Sequence, residues 1–130
     1  MNHKRRILIV EDDDVLRRHL RLLLEGEGYS VIEQANVTST KFFLDQDSDF
    51  SAFIIDWSLP DGEGSEIVSL IRNVGILSPV VFLTARASVT DRVLGLRMGA
   101  TDYIVKPFEP LELTVRLDRH ITTFEKLNEK

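Results

Sequence analysis

An α/β fold with a doubly wound, five-stranded parallel sheet is predicted by three observations. Strand-like and helix-like segments alternate along the whole chain, the pattern of a sheet covered by helices. The runs Ile7-Leu8-Ile9-Val10, Phe53-Ile54-Ile55 and Val80-Val81-Phe82-Leu83 are apolar at every position, so both of their faces are buried, as in parallel sheets. With 130 residues and 43% hydrophobic content, the chain matches one domain with its own packed core.

The elements follow in order. Arg6 to Val10 reads as the first strand, and Asp13 caps a helix whose Leu16, Leu20, Leu23 and Leu24 share one face, with Arg17, Arg18 and Arg21 toward water. Gly26 and Gly28 stop that helix before a second strand, Tyr29 to Glu33. Val37 to Asp47 is the second helix, with Phe43 and Leu44 inward, and Phe53 to Asp56 the third strand. Pro60-Asp61-Gly62-Glu63-Gly64 is a cluster of turn formers, in which Pro60 and Gly62-Glu63-Gly64 are read as turn geometry without a chemical role. A helix carrying Ile67, Leu70, Ile71 and Val74 comes next, then Pro79 to Thr84 as the fourth strand. Ser88 to Met98 is predicted as a helix with Val89, Val93 and Leu96 in register, closed by Gly99 ahead of a fifth strand, Tyr103 to Val105. Pro110 opens the last helix, with Leu113, Leu117, Ile121 and Phe124 as its stripe. The domain is expected over 1–123, with 124–130 a helix end or the start of a linker.

Composition excludes several classes. The chain has no cysteine, hence no disulfide framework and no thiolate metal site. The basic start Met1 to Arg6 is followed by an apolar run that stops at Val10, too short for a signal peptide or a spanning helix, so a cytoplasmic location without membrane attachment is expected. A net charge of −5 disfavours direct nucleic-acid binding by this segment. His3, His19 and His120 share no spacing and no evident partner, so no ligand or phosphotransfer role is expected of them.

Chemistry gathers at the strand ends. In an open sheet of this class the site lies outside the carboxyl ends, where strand order reverses. The first strand ends in Glu11-Asp12-Asp13, the third in Asp56, the fourth in Thr84 and the fifth in Lys106. With the order 2-1-3-4-5, Asp56 lies beside the acid pair. Clustered carboxylates repel one another, and a hard divalent cation such as Mg²⁺ suits them because it takes oxygen ligands and keeps several waters. A carboxylate beside Mg²⁺, with a hydroxyl and an ammonium aimed at the incoming oxygens, can attack an activated phosphoryl group, which gives an acyl phosphate on Asp56.

The motifs LIVEDD, IIDWSLPDGEG, VVFLTA and DYIVKPF, on these strand ends, give the chain its resemblance to response-regulator receiver domains of two-component phosphorelay signalling, closest to the branch that precedes winged-helix DNA-binding domains. The resemblance covers essentially the whole chain and implies the flavodoxin-like receiver fold. It makes Asp56 the phosphoacceptor and Asp12 the direct metal ligand. Glu11 acts through water, and the Ser58 backbone carbonyl completes the Mg²⁺ shell. It gives Thr84 and Ala85 phosphate-binding positions, pairs Lys106 with the phosphate through a cis Lys106–Pro107 bond, and makes Tyr103 a ring that turns in from solvent when Thr84 moves. Ser58 and Arg86, two residues after Asp56 and Thr84, flank the path of attacking water. A change at Arg86 is therefore expected to alter the lifetime of the modified state more than its formation.

The resemblance also implies a phosphohistidine donor, on a histidine kinase or phosphotransfer protein, and an output through the face of the fourth helix, fifth strand and fifth helix. The protein then catalyses only its own phosphorylation and slow dephosphorylation, and an effector outside this chain would regulate transcription. Asp102, Glu112, Arg116, Arg97 and Asp118 resemble the charged residues of a homodimer on that face. Leu94 stands where the branch usually has a base, which leaves the partner of Glu112 open, and Arg97 and Asp118 look reversed in sign but complementary. Two other readings of the strand-end residues are a Mg²⁺-dependent phosphohydrolase with an aspartyl nucleophile and a pseudo-receiver that only binds. Trp57-Ser58 offers no second acid for the first, and the presence of Asp56, Thr84 and Lys106 together speaks against the second.

Overall fold

The computed structural model describes residues 5–128; residues 1–4, including His3, and residues 129–130 of the expected linker start lie outside the described residues. The elements are β1 (Arg6–Val10), α1 (Asp14–Gly26), β2 (Ser30–Gln34), α2 (Val37–Gln46), β3 (Ala52–Ile55), β4 (Ser58–Leu59), β5 (Gly62–Glu63), α3 (Gly64–Asn73), β6 (Val80–Thr84), α4 (Val89–Arg97), β7 (Asp102–Val105) and α5 (Pro110–Leu127). Five strands pair in parallel in the order β2-β1-β3-β6-β7, which is the predicted order 2-1-3-4-5. The two-residue strands β4 and β5 form a separate antiparallel hairpin that sequence periodicity did not reveal.

Alternation along each strand divides the core into two layers. Leu8, Val10, Phe53, Ile55, Val80 and Phe82 face α2 and α3, which supply Val37, Leu44, Ile67, Val68 and Ile71. Ile7, Ile9, Ile54, Val81 and Leu83 face the other way, against Leu20 and Leu24 of α1 and Leu113, Leu117 and Ile121 of α5. Both faces of the sheet are thus covered, so the strands are apolar throughout rather than alternating.

Two expectations for the helices are corrected. Val89, Val93 and Leu96 of α4 do not form an inward stripe; all three are exposed, and Gly95 is the residue α4 buries. A Cβ at Gly95 would come within 2.9 Å of the Tyr103 ring and 3.2 Å of Phe82, so α4 meets the sheet by close backbone approach rather than by an apolar ridge. Val74 lies just beyond α3, as its C-cap, and is exposed; Gly75, at φ +89, turns the chain away there.

Local caps fix the helix starts near the carboxyl edge. Asp13 accepts from Val15 N at 3.0 Å and Leu16 N at 3.1 Å at the start of α1. Asn36 accepts from Ser39 N at 2.8 Å at the start of α2, and Asp61 reaches over from the β4–β5 turn to accept from Thr38 Oγ1 at 2.6 Å, Thr38 N at 2.9 Å and Val37 N at 2.7 Å. Those bonds, led by the Thr38 hydroxyl, hold the Asp61 carboxyl down at about 2. An acid with a depressed folded-state pKa stabilises the fold above its unfolded value, near 4, and loses that contribution as pH falls toward 2. Asp61→Asn is therefore expected to be less stable than the parent at pH 6, with the gap closing between about pH 4 and 2, as read by urea unfolding across pH. A gap that does not change over that range would contradict the assignment.

Gly64 opens α3 directly beneath the site, where its N–H donates to Trp57 O at 2.6 Å. A Cβ there would overlap the backbone oxygen of Asp56 and crowd Ile55 Cγ2 at 2.8 Å, and backbone cannot yield as a side-chain tip does. Gly64→Ala is expected to cost about 3 kcal/mol of unfolding free energy, measured by denaturant titration. A cost below about 1 kcal/mol would show that the β3–β4 loop relaxes freely.

Candidate functional site

The parallel ladders deliver the polar strand ends to one place. Asp56 N donates to Val10 O at 2.9 Å and Lys106 N to Thr84 O at 2.9 Å, so the pairing of β1 with β3 and of β6 with β7 carries on one residue past each strand. Glu11, Asp56 and Thr84 are buried at this edge, whereas Asp12 is exposed.

Lys106 bridges the two buried acids. Its ammonium donates to Glu11 Oε1 at 2.6 Å and to Asp56 Oδ2 at 2.8 Å. Burial works against the ammonium charge, but the hydrogen bonds to Asp56 and Glu11 outweigh it and raise Lys106 above the ordinary lysine value. Burial pushes Glu11 up as well, with the neighbouring Asp56 adding to the effect, against hydrogen bonds from Lys106 and Asp13 N that pull it down. Two carboxylates held side by side out of water thus share the Lys106 ammonium.

Carboxylate oxygens of Glu11, Asp12 and Asp56 all lie within 4.8 Å of one another. An octahedral Mg²⁺ with ligands at about 2.1 Å spans roughly 4 Å between opposite ligands, so this hard-oxygen set fits that ion. Asp56 Oδ1 also accepts from Ser58 N at 3.2 Å, which folds the start of β4 back over the acid. The Lys106–Pro107 peptide bond is cis.

Beside the acids, the buried Thr84 hydroxyl accepts from Arg86 N at 3.3 Å, and Ala85 is exposed at the mouth. Tyr103 departs from the expected solvent-facing ring. It is 7% exposed, packed against Phe82 and Trp57, and its hydroxyl donates to Arg86 O at 2.7 Å, because Gly95 leaves room for the ring under α4. The Arg86 side chain makes contacts of its own. Its guanidinium lies 4.1 Å from the centroid of the Trp57 ring and bridges to Asp91 at 2.8 Å and Glu63 at 3.5 Å. Trp57 Nε1 donates to Glu63 Oε1 at 2.7 Å. Sequence reasoning assigned Trp57 and Glu63 no part; the one available signal was the chain's only tryptophan standing next to Asp56.

The charged residues on β7 and α5 separate into two groups. Asp102 pairs with Arg116 at 3.5 Å, and Arg116 pairs with Glu112 at 3.2 Å one helical turn away. Asp102 also bonds His120 Nε2 at 2.9 Å, so His120 has a partner that its sequence context did not suggest. Asp118, two residues past Arg116 and hence about 200° around the helix, accepts instead from Tyr29 OH at 3.0 Å and bridges Arg5 at 3.5 Å. Its side chain keeps 60% of its surface exposed. Arg97 and Leu94 are exposed on α4.

No helix among the described residues is long and apolar enough to cross a membrane.

Comparison with known proteins agrees with this geometry. The chain is 43% identical over 116 residues to the uncharacterized transcriptional regulatory protein YkoG of Bacillus subtilis, across 88% of this chain and 50% of that protein. It is 39% identical over 115 residues to the phosphate regulon transcriptional regulatory protein PhoB of Klebsiella pneumoniae, across 87% of this chain and 50% of that protein. The chain therefore spans about half the length of the curated relatives it matches. Among solved structures, a CheY-like response regulator receiver domain protein from Methanospirillum hungatei superposes with a TM-score of 0.88 at 29% identity, covering 97% of this chain and all of that one. The family model of the response regulator receiver domain matches residues 7–118, and the chain belongs to that family.

Proposed function

We propose that this receiver domain is a phosphoacceptor switch in which Asp56 takes a phosphoryl group from the phosphohistidine of a histidine kinase or phosphotransfer protein. The observation that carries the reading is the convergence on Asp56 of Lys106 Nζ, at 2.8 Å, and of the Glu11 and Asp12 carboxylates, within 4.8 Å. Asp56 and Glu11 have no evident reason to be buried together except to work on a charged group.

The reaction forms a bond from an Asp56 carboxylate oxygen to phosphorus and breaks the phosphorus–nitrogen bond, so that the imidazole leaves and takes up a proton. Asp12 and Asp56, the Ser58 carbonyl and, through water, Glu11 are the residues that would hold Mg²⁺. When bound, the ion neutralises charge on the nucleophile and on the phosphoryl oxygens. Lys106 supplies the remaining positive charge from a fixed position, and Thr84 and the Ala85 backbone line the space for the phosphoryl oxygens. Thr84 and Tyr103 then carry the change to the α4–β7–α5 face as a two-state element biased by a few hydrogen bonds.

That face is the proposed homodimer surface, built on Asp102, Arg116, Glu112, Arg97 and Asp118. Exposed ion pairs contribute little each, so association should need the modified state. Because the curated relatives named above are transcriptional regulators of which this chain spans about half, the proposed output is regulation of transcription through an effector outside this chain, in the cytoplasm.

The test is incubation with acetyl phosphate and Mg²⁺ followed by intact-mass measurement and light scattering. A mass gain of one phosphoryl group that EDTA abolishes, with dimer appearing in the modified fraction, is the expected result. No mass gain would overturn the switch, and a modified monomer would overturn the dimer alone.

A further inference from the structure

We propose that Arg86 is a positioning residue for the phosphoacceptor site: stacked on Trp57 and bridged to Glu63 and Asp91, it clamps the loop after β3 to the loop after β6. The inference rests on the phosphoacceptor reading and adds what sets the resting position of its moving parts.

Arg86 touches both loops with different atoms. Its side chain reaches the β3 side, where Trp57 directly follows Asp56 and is fixed by stacking on Phe82, at 4.8 Å between ring centroids, and by its bond to Glu63. Its backbone serves the β6 side, where the Arg86 N–H donates to Thr84 Oγ1 at 3.3 Å and the Arg86 carbonyl accepts from Tyr103 OH at 2.7 Å. One residue therefore joins the neighbour of the acceptor to both side chains that are proposed to switch.

Isolated surface ion pairs hold little, but this guanidinium has two acids and an aromatic face at once, and the indole beneath it is 1% exposed. Glu63 and Asp91 together also outweigh its charge, which keeps the cation over the indole. In that position Arg86 holds Tyr103 inward, in the space that Gly95 leaves open. A phosphoryl group arriving on Asp56 then finds the inward arrangement already populated. Loosening the clamp should lower that population and weaken capture of the phosphoryl oxygens in proportion.

The experiment compares the parent with Arg86→Ala, Arg86→Lys and Asp91→Asn. Trp57 is the chain's only tryptophan, so intrinsic fluorescence reads the clamp directly. Acrylamide quenching of Trp57 is measured without ligand, then Mg²⁺ alone is titrated, then beryllofluoride at saturating Mg²⁺. For Arg86→Ala we expect stronger quenching, an unchanged Mg²⁺ midpoint and beryllofluoride binding weakened about fivefold, with Arg86→Lys recovering part of the loss and Asp91→Asn falling between. A merely structural role would move both ligand midpoints together. Beryllofluoride binding by Arg86→Ala within about twofold of the parent, or an equal loss for both ligands, overturns the clamp while leaving the phosphoacceptor reading intact. A parent that does not respond to beryllofluoride overturns both.

Discussion

Asp56→Asn is expected to gain no mass from acetyl phosphate and Mg²⁺ under conditions that modify the parent, while remaining at least as stable. The amide oxygen can still accept from Lys106, which sits 2.8 Å from Asp56 Oδ2, but an amide has no anionic oxygen to attack phosphorus. Stability should hold because the substitution removes one of three acids whose oxygens lie within 4.8 Å, relieving repulsion rather than creating it. The separation of the two effects is the useful part. A variant that lost modification only by unfolding would show a lower urea midpoint, and modification persisting in a folded Asp56→Asn would move the acceptor elsewhere.

Lys106→Ala is expected to damage both chemistry and stability. It removes the fixed cation that, among the described residues, is aimed at the incoming oxygens, and losing a preorganised charge of this kind typically costs about 100-fold in rate, here in the rate of phosphorylation by acetyl phosphate. It also leaves Glu11 and Asp56, 3% and 7% exposed, facing each other without their shared ammonium. Removing one partner of a buried pair costs more than the pair contributes, and at this half-open edge we expect a loss of about 2 kcal/mol at neutral pH. Lys106 titrates above the ordinary lysine value in the fold. Its contribution is therefore complete below the unfolded value, about 10.4, and fades as pH rises from there through the folded one. The gap between parent and variant in urea unfolding should be constant from pH 7 to 10 and narrow above that. Added Mg²⁺ should stabilise the variant more than the parent, since it replaces the missing positive charge. A variant as stable as the parent and phosphorylated at the parent's rate would remove Lys106 from the site.

What could be read from the sequence follows from which interactions leave a period or a dipeptide signature. The sheet was legible because Ile7 to Val10 and Val80 to Leu83 are buried on both faces, and such runs have few other uses in a chain of this length. The acid cluster was legible for a related reason: strand ends deliver their polar groups to one edge, so Glu11, Asp12, Asp56 and Lys106 converge once strand order is known. The face of α4 was not legible. Val89, Val93 and Leu96 have helical spacing, but the helix seats on Gly95, whose missing side chain carries no hydrophobic signal at all. The clamp was hidden because Trp57, Glu63, Arg86 and Asp91 come from loops and helix starts, where contacts are set by the path of the chain rather than by a repeat. The β4–β5 hairpin is too short to show alternation. On α5, the bonds of His120 to Asp102 and of Tyr29 to Asp118 come from packing against other elements and leave no period in the sequence.

The most direct test of the central claim is chemical localisation of the modified residue. Borohydride reduces an acyl phosphate to the alcohol, so an aspartyl phosphate becomes homoserine. After acetyl phosphate, Mg²⁺ and borohydride, peptide mass spectrometry should find homoserine at position 56 and aspartate unchanged at 12 and 13. Homoserine at another acid, or aspartate retained at 56 in a protein that had gained the phosphoryl mass, would contradict the account.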